Sequence, residues 1–229
     1  METFRDSLDR CCTLGGGVSA KGAAPSGTSA DIYLYGAIGG SKVTAQSVQK
    51  EISKIGDVDV INVHLNTFGG TFADGLAIYN TLKNQSAYVV VKVMGYALSM
   101  GSLIMLAADE VQCAENGLIM IHKAQTLTYG SVDDHYKAIE ILNKHDAVIC
   151  PDYLSRMGIT EQELIELLSA ETWYTAAEAQ RVGLVDTVIN AVEINEDEAC
   201  AGLGGIDIMA GYRDRSRLPE QFRRSLFAA

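Results

Sequence analysis

Tyr88-Val89-Val90-Val91-Lys92-Val93, then Gly95-Tyr96-Ala97-Leu98-Ser99-Met100-Gly101, then Ser102-Leu103-Ile104-Met105-Leu106-Ala107-Ala108: these three consecutive segments decide how the chain is read. The first is β-branched and reads as a buried strand. The last has a single β-branched residue, Ile104, and reads as a buried helix. Between them a serine sits on a strand-to-helix turn, where its Oγ projects and the amides of the helix start face the same space, able to hold negative charge. The G-x-S-x-G form of such an elbow is not met, because Ala97 stands at the first glycine position. Taken alone, the stretch is equally well explained as a small serine packed at a crowded helix start. Its surroundings decide between the two.

Working outward, elements of the two periods alternate. Upstream, Asp31 to Gly36 is an apolar strand, and Thr44 to Ile55 a helix with Thr44 as N-cap and Val48, Ile52 and Ile55 on one face. Val58 to Leu65 is a second strand, running into the turn Asn66-Thr67-Phe68-Gly69-Gly70, and Phe72 to Asn84 is a helix carrying Leu76, Ile78, Tyr79 and Leu82. Downstream, Val111 to Ala114 and Gly117 to His122 are short strands. Ser131 to Met157 is a long helical region with Ile139, Leu142 and Val148 on its apolar side and Pro151 as a potential break. Thr160-Glu161-Gln162-Glu163 opens a further helix as a capping box. Ala176 to Val182, stopped by Gly183, and Leu184 to Ile189 complete the series as helix and strand. Strands alternating with helices predict an α/β fold with a largely parallel sheet.

The chain divides into three parts on composition. Residues 1–30 hold a short helix, Thr3 to Leu14, and a Gly/Ala/Ser/Thr-rich connector from Gly15 to Ala30. Residues 31–190 form the folded domain. Residues 191–229 begin with the acidic Glu193, Glu196, Asp197 and Glu198 and end in a stretch, 213–224, with five arginines. With 18 basic and 29 acidic groups the net charge is −11, which disfavours nucleic acid as a general partner. The charge-free run Val93 to Ala108 is 16 residues and too short to span a membrane, so it reads as core. Five cysteines lack metal-ligand spacing, no apolar signal segment opens the chain, and neither a metal nor another cofactor is expected; the reading is cytoplasmic.

Four features then recur in a fixed order: Asn66-Thr67-Phe68-Gly69-Gly70; Ser99-Met100-Gly101, with Ser99 29 residues after Gly70; Met120-Ile121-His122; and Glu171 to Ala179 followed by Gly183-Leu184-Val185-Asp186. This order resembles the proteolytic subunit of the Clp protease family, and within it the phage head-maturation (prohead) branch. The resemblance implies the β-α-β superhelix shared by ClpP and crotonases, with a protruding helical handle. It implies a serine endopeptidase with Ser99 as nucleophile, His122 as general base, and the backbone amides of Gly70 and Met100 as the oxyanion hole. It further implies homo-oligomeric rings, heptameric and stacked in pairs through the long helix, that cut protein or peptide substrates. In a phage those substrates are scaffold and capsid proteins and the place is the assembling prohead; in a bacterium the partner is an ATP-driven unfoldase.

The chemistry suits those residue types. A serine hydroxyl is a weak nucleophile until a neutral imidazole takes its proton, and the tetrahedral oxyanion needs preorganised donors. The third member is less settled. The family's aspartate aligns with Glu171, whose extra methylene changes its reach; a backbone carbonyl or a water orienting His122 is the alternative, and Asp133, Asp134 and Asp146 read as solvent-facing. Thr67-Phe68 also replaces the family's Ser-Pro. His64 reads as a packed core residue, His135 and His145 as exposed, and the Trp173-Tyr174 pair as core. Three competing readings remain at this stage: a crotonase-type acyl-CoA enzyme, a catalytically dead structural ring subunit, and a Ser-Lys peptidase using Lys92 or Lys123.

Overall fold

The computed structural model describes residues 29–40 and 42–189, together with the backbone of 17–21. The expected Thr3–Leu14 helix, the acidic linker and the basic tail lie outside the described residues.

Five strands run in parallel through the centre of one sheet. In spatial order its main path is β1 (Gly17–Lys21), β2 (Ser29–Tyr35), β3 (Val60–Thr67), β4 (Tyr88–Leu98), β5 (Glu110–Ala114) and β8 (Thr187–Ile189), with only the β1–β2 pair antiparallel. Helices α1 (Ala45–Ile55) and α2 (Phe72–Lys83) supply the crossovers that parallel pairing requires. The sequence reading of α1 holds in detail: Thr44 caps it through Ser47 N, and Val48, Ile52 and Ile55 are the buried residues. The α/β architecture with a mostly parallel sheet is thus as expected.

Strand β1 falls inside the segment expected to be a connector. Its five residues, Gly17-Val18-Ser19-Ala20-Lys21, hold one β-branched side chain among small ones, too weak a signal to announce a strand; the backbone ladder from Gly17↔Tyr35 to Lys21↔Asp31 forms it. Pro151 likewise does not divide the long helix α4 (Val132–Met157), which runs unbroken through it. The apolar side assigned to that helix was also turned. Ile139 and Val148 are exposed, while Ile149 and Tyr153 are the residues it buries.

The feature that builds the site is a fork in β4. Its first half pairs with β3 on one side and β5 on the other, up to Val93↔Cys113. Between Leu65 and Thr67 the β3–β4 register slips, so that Leu65 faces Val93 but Thr67 faces Ala97. Asn66 fills the irregularity, its Oδ1 accepting from Tyr96 N at 3.0 Å. Bulges of this kind bend and twist a strand. Beyond it, β4 leaves β5 and pairs through Tyr96, Ala97 and Leu98 with a new strand, β6 (Leu118–Ile121). On its far side β6 pairs antiparallel with β7 (Thr172–Thr175), an element missed in the sequence because four residues show too little pattern. Helix α5 (Glu161–Ser169) precedes β7, and α6 (Ala176–Arg181) follows it. Among the described residues, no helix is long and apolar enough to cross a membrane.

Candidate active site

The β4–β6 pairing brings two chain positions 23 residues apart into contact. Leu98 faces Met120 in the ladder, so the next residue of β4 and the residue two beyond Met120 emerge at the same end. They are Ser99 and His122, and His122 Nε2 lies 2.6 Å from Ser99 Oγ, a hydrogen bond.

Ser99 takes φ 54°, ψ −120° as the N-cap of the short helix α3 (Met100–Met105). A side-chain-bearing residue at such an angle stores on the order of 1–3 kcal/mol and persists only when its surroundings hold it there. Here the holding bonds are visible. Ser99 N donates to Met120 O (2.9 Å), and Ser99 O accepts from both Ser102 N (2.9 Å) and Ser102 Oγ (2.6 Å). Leu98, Met100, Gly101 and Ser102 on either side are all buried.

The Gly69-Gly70 turn lies against this elbow so closely that a Cβ on Gly69 would come within 2.7 Å of Ser99 Cβ and 3.1 Å of Met100 N. Thr67 Oγ1 accepts from Gly69 N at 3.0 Å, bracing the turn in place of the ring a proline would supply. Gly70 is pinned from behind. Ile38 N donates to Gly69 O (2.8 Å) and Thr71 N donates to Ile38 O (2.9 Å). In such a parallel bridge the central residue's own N–H and C=O point to the opposite side, so the Gly70 amide faces away from Ile38. A Cβ at Gly70 would run into the Ile38 carbonyl.

Ser99, Met100, Gly70 and His122 line one cavity of about 330 Å³, which continues along Lys123 to Thr128 and the inner face of α4. Its apolar wall includes Phe72, Met100, Leu103, Ile149 and Tyr153. His145, expected to be exposed, is half-buried there, stacked on Phe72 with ring centroids 3.8 Å apart. Among the described residues there is no cluster of three or more potential metal ligands.

Glu171 occupies the residue before β7, with φ 52° and an exposed side chain. Continuing the β6–β7 register one step past Ile121↔Thr172 sets His122 opposite Glu171. The left-handed angle ends the ladder at that step, and no bond from Glu171 to the imidazole is seen.

Other expectations change. Asp146 is half-buried rather than free in solvent, and its Oδ1 accepts from Ala124 N at 2.8 Å, tying α4 to the segment after His122. Asp134 does face solvent, where it closes the N-cap box of α4 with Ser131. Of the aromatic pair, Tyr174 is buried but Trp173 is 43% exposed. His64 is half-buried, hydrogen-bonded to Asp31 at 2.9 Å and stacked on Tyr33.

Sequence reasoning also missed the pair behind the elbow. Ser102 and Tyr153, both buried, share a 2.7 Å hydrogen bond between their hydroxyls. The spacing of Leu142, His145, Ile149 and Tyr153 at intervals of three and four was the available signal, since such residues share one helix face.

The Clp protease family model matches residues 28–192. The chain belongs to the Clp protease family. Two curated relatives are each 30% identical. The ATP-dependent Clp protease proteolytic subunit 1 of Salinibacter ruber is matched over 141 residues, 59% of this chain and 59% of the relative. The ATP-dependent Clp protease proteolytic subunit of Deinococcus radiodurans is matched over 138 residues, 59% of this chain and 67% of the relative. The chain therefore spans about three fifths of the first relative's length and about two thirds of the second's.

Proposed function

We propose that this Clp-family chain is a serine endopeptidase. The observation that carries the reading is the 2.6 Å bond between His122 Nε2 and the hydroxyl of a serine held at a left-handed elbow, open to a cavity. Ser99 Oγ attacks the scissile carbonyl carbon while His122 Nε2 takes its proton. The carbonyl oxygen becomes an oxyanion received by the Gly70 and Met100 amides. Collapse expels the amine, protonated by His122, and leaves an acyl-enzyme on Ser99. Water, deprotonated by the same imidazole, then releases the acid.

Glu171 is the carboxylate in register with the imidazole. Its exposed position requires a shift of that turn, as when a substrate or a neighbouring copy covers it. Residues 122–129 lie in no helix or strand; the Lys123 and Ala124 amides bond Leu168 O and Asp146 Oδ1, and the extended stretch beyond them suits flanking a substrate by strand addition.

Assembly follows from α4. Of its 26 residues only Ile149 and Tyr153 are buried, while Val132, Tyr136, Ile139 and Val148 are exposed and the preceding Leu127 and Tyr129 wholly so. A second copy covering these residues gives rings stacked in pairs; seven-membered rings are the family's size. The resemblance to the phage head-maturation branch extends the reading to scaffold and capsid proteins as substrates and to the host cytoplasm or prohead as the place.

The test is fluorophosphonate labelling read by intact mass on wild type and Ser99→Ala. One adduct on wild type, lost in Ser99→Ala, is expected. No adduct on folded, assembled wild type overturns the peptidase reading in favour of a structural ring subunit or a crotonase-type enzyme.

A further inference from the structure

Ser102 and Tyr153 stand behind the elbow rather than in the cavity mouth, and the direction of their hydrogen bonds can be deduced. Ser102 has one hydroxyl proton, and Oγ donates it to Ser99 O at 2.6 Å. The 2.7 Å contact with Tyr153 must therefore have the tyrosine as donor. The chain of bonds runs one way: Tyr153 O–H to Ser102 O–H to the Ser99 carbonyl.

That carbonyl belongs to the peptide whose other end is the Met100 N–H. A peptide unit is planar and trans, so its C=O and N–H point in opposite directions, and fixing one fixes the other. Hydrogen bonds in series polarise one another, and the effect is larger where water is excluded; Ser102 is 0% and Tyr153 2% exposed. Loading the carbonyl with two donors, Ser102 N and Ser102 Oγ, also makes the N–H across the peptide a stronger donor. This polarisation matters most when negative charge appears opposite the N–H, that is, in the tetrahedral intermediate rather than in bound substrate.

Resting on the reading of Met100 N–H as an oxyanion donor, we propose that Tyr153 and Ser102 are positioning residues that aim and polarise this amide from behind, so that α4 supports the reaction without touching the substrate's reacting atoms. The competing account is purely structural. Helical serines often bond a carbonyl one turn back, and a buried tyrosine hydroxyl needs some partner. On that account the pair contributes stability alone.

Tyr153→Phe separates the two, because it keeps the ring volume in the cavity wall and leaves the Ser102 bond to Ser99 intact. The experiment measures steady-state hydrolysis of a fluorogenic peptide and inhibition by a peptide boronate, whose tetrahedral adduct mimics the intermediate. It uses the assembled wild type, Tyr153→Phe, Ser102→Ala and the double variant, with fluorophosphonate labelling of wild type alongside. Removing an oxyanion donor outright costs roughly 10²–10³ in kcat, so weakening one is expected to cost about 5- to 20-fold. KM should stay within about twofold, and boronate affinity should fall in step with kcat. The double variant should be no slower than the slower single variant, because both changes interrupt one chain of bonds. A Tyr153→Phe protein with wild-type kcat and boronate affinity overturns the proposal, whatever its melting temperature, and leaves the peptidase reading standing. If wild type takes no fluorophosphonate label and hydrolyses no peptide, the peptidase reading itself falls, and this proposal with it.

Discussion

Gly69→Ala tests how tightly the elbow is packed, and the cost can be worked from the contacts. Two separate terms apply. Gly69 has φ +91°, a region where a Cβ is disfavoured by about 1–2 kcal/mol. The added Cβ would also stand 2.7 Å from Ser99 Cβ and 2.8 Å from Leu98 O, closer than real Cβ atoms come. Neither neighbour is the end of a flexible side chain, so relief requires the elbow itself to move, at about 1–3 kcal/mol for overpacking in a filled interior. Gly158→Ala is the control. That residue caps α4 at φ 64°, ψ 26°, and nothing lies within 4 Å of its added Cβ, so it bears the backbone term alone. Gly69→Ala is therefore expected to be less stable than Gly158→Ala by about 1–3 kcal/mol, or about 2–12 °C in apparent Tm for a chain of this size. The assay is thermal unfolding of both variants, followed by fluorophosphonate labelling below their transitions. Gly158→Ala should label at the wild-type rate and Gly69→Ala far more slowly. If the two melt together and label alike, the contact between the glycine turn and Ser99 is not the constraint described.

Three further outcomes are expected. Glu171→Gln should slow labelling of Ser99 about tenfold or more if this carboxylate orients the imidazole in the assembled protein, and an unchanged rate would remove it from the mechanism. Asp146→Ala leaves the Ala124 N–H without its carboxylate, a loss of about 1.5–3 kcal/mol in local stability; amide exchange over residues 123–126 should accelerate about tenfold or more, with Asp146→Asn much milder. Asp134, Glu163 and Glu178 each close an N-cap box and are held below their ordinary carboxylate range by hydrogen bonds from Ser131, Thr160 and Thr175. A depressed carboxylate stabilises the fold above its unfolded pKa and loses that contribution as pH falls through the folded value. Wild type should thus lose Tm on acidification from pH 5 toward pH 3, while a Glu163→Gln, Glu178→Gln protein starts lower and converges with it in acid.

Much of this could be read from the chain because the informative residues act locally. Thr44, Ser131 and Thr160 mark helix starts through bonds three residues long, and the β-branched run at Val89–Val91 needs no partner to look like a strand. Ser99 and His122 were legible through motif order, and the structure supplies the contact between them. What escaped depends on distant chain. Strand β1 is made by the backbone of β2, and the facing of α4 by the pocket under Tyr153. Asp146 acquires its role from an amide 22 residues away, and the Phe72–His145 stack joins helices whose sequences say nothing of each other.

The fork in β4 carries a consequence for how the protein is made. Strand β6, which ends next to His122, is four residues long and gains its second neighbour only when Thr172–Thr175 has been synthesised. Strand β5 waits longer still for Thr187–Ile189. A nascent chain emerging from the ribosome therefore carries Ser99, and the β4–β6 ladder that brings His122 to it, well before β6 has anything on its far side. A polypeptide truncated before Thr172 keeps both residues but leaves one edge of β6 unpaired. On the peptidase reading proposed above, late closure of that one short strand acts as a safety catch written into the order of the residues, leaving the Ser99–His122 contact at an open edge until Thr172–Thr175 arrives.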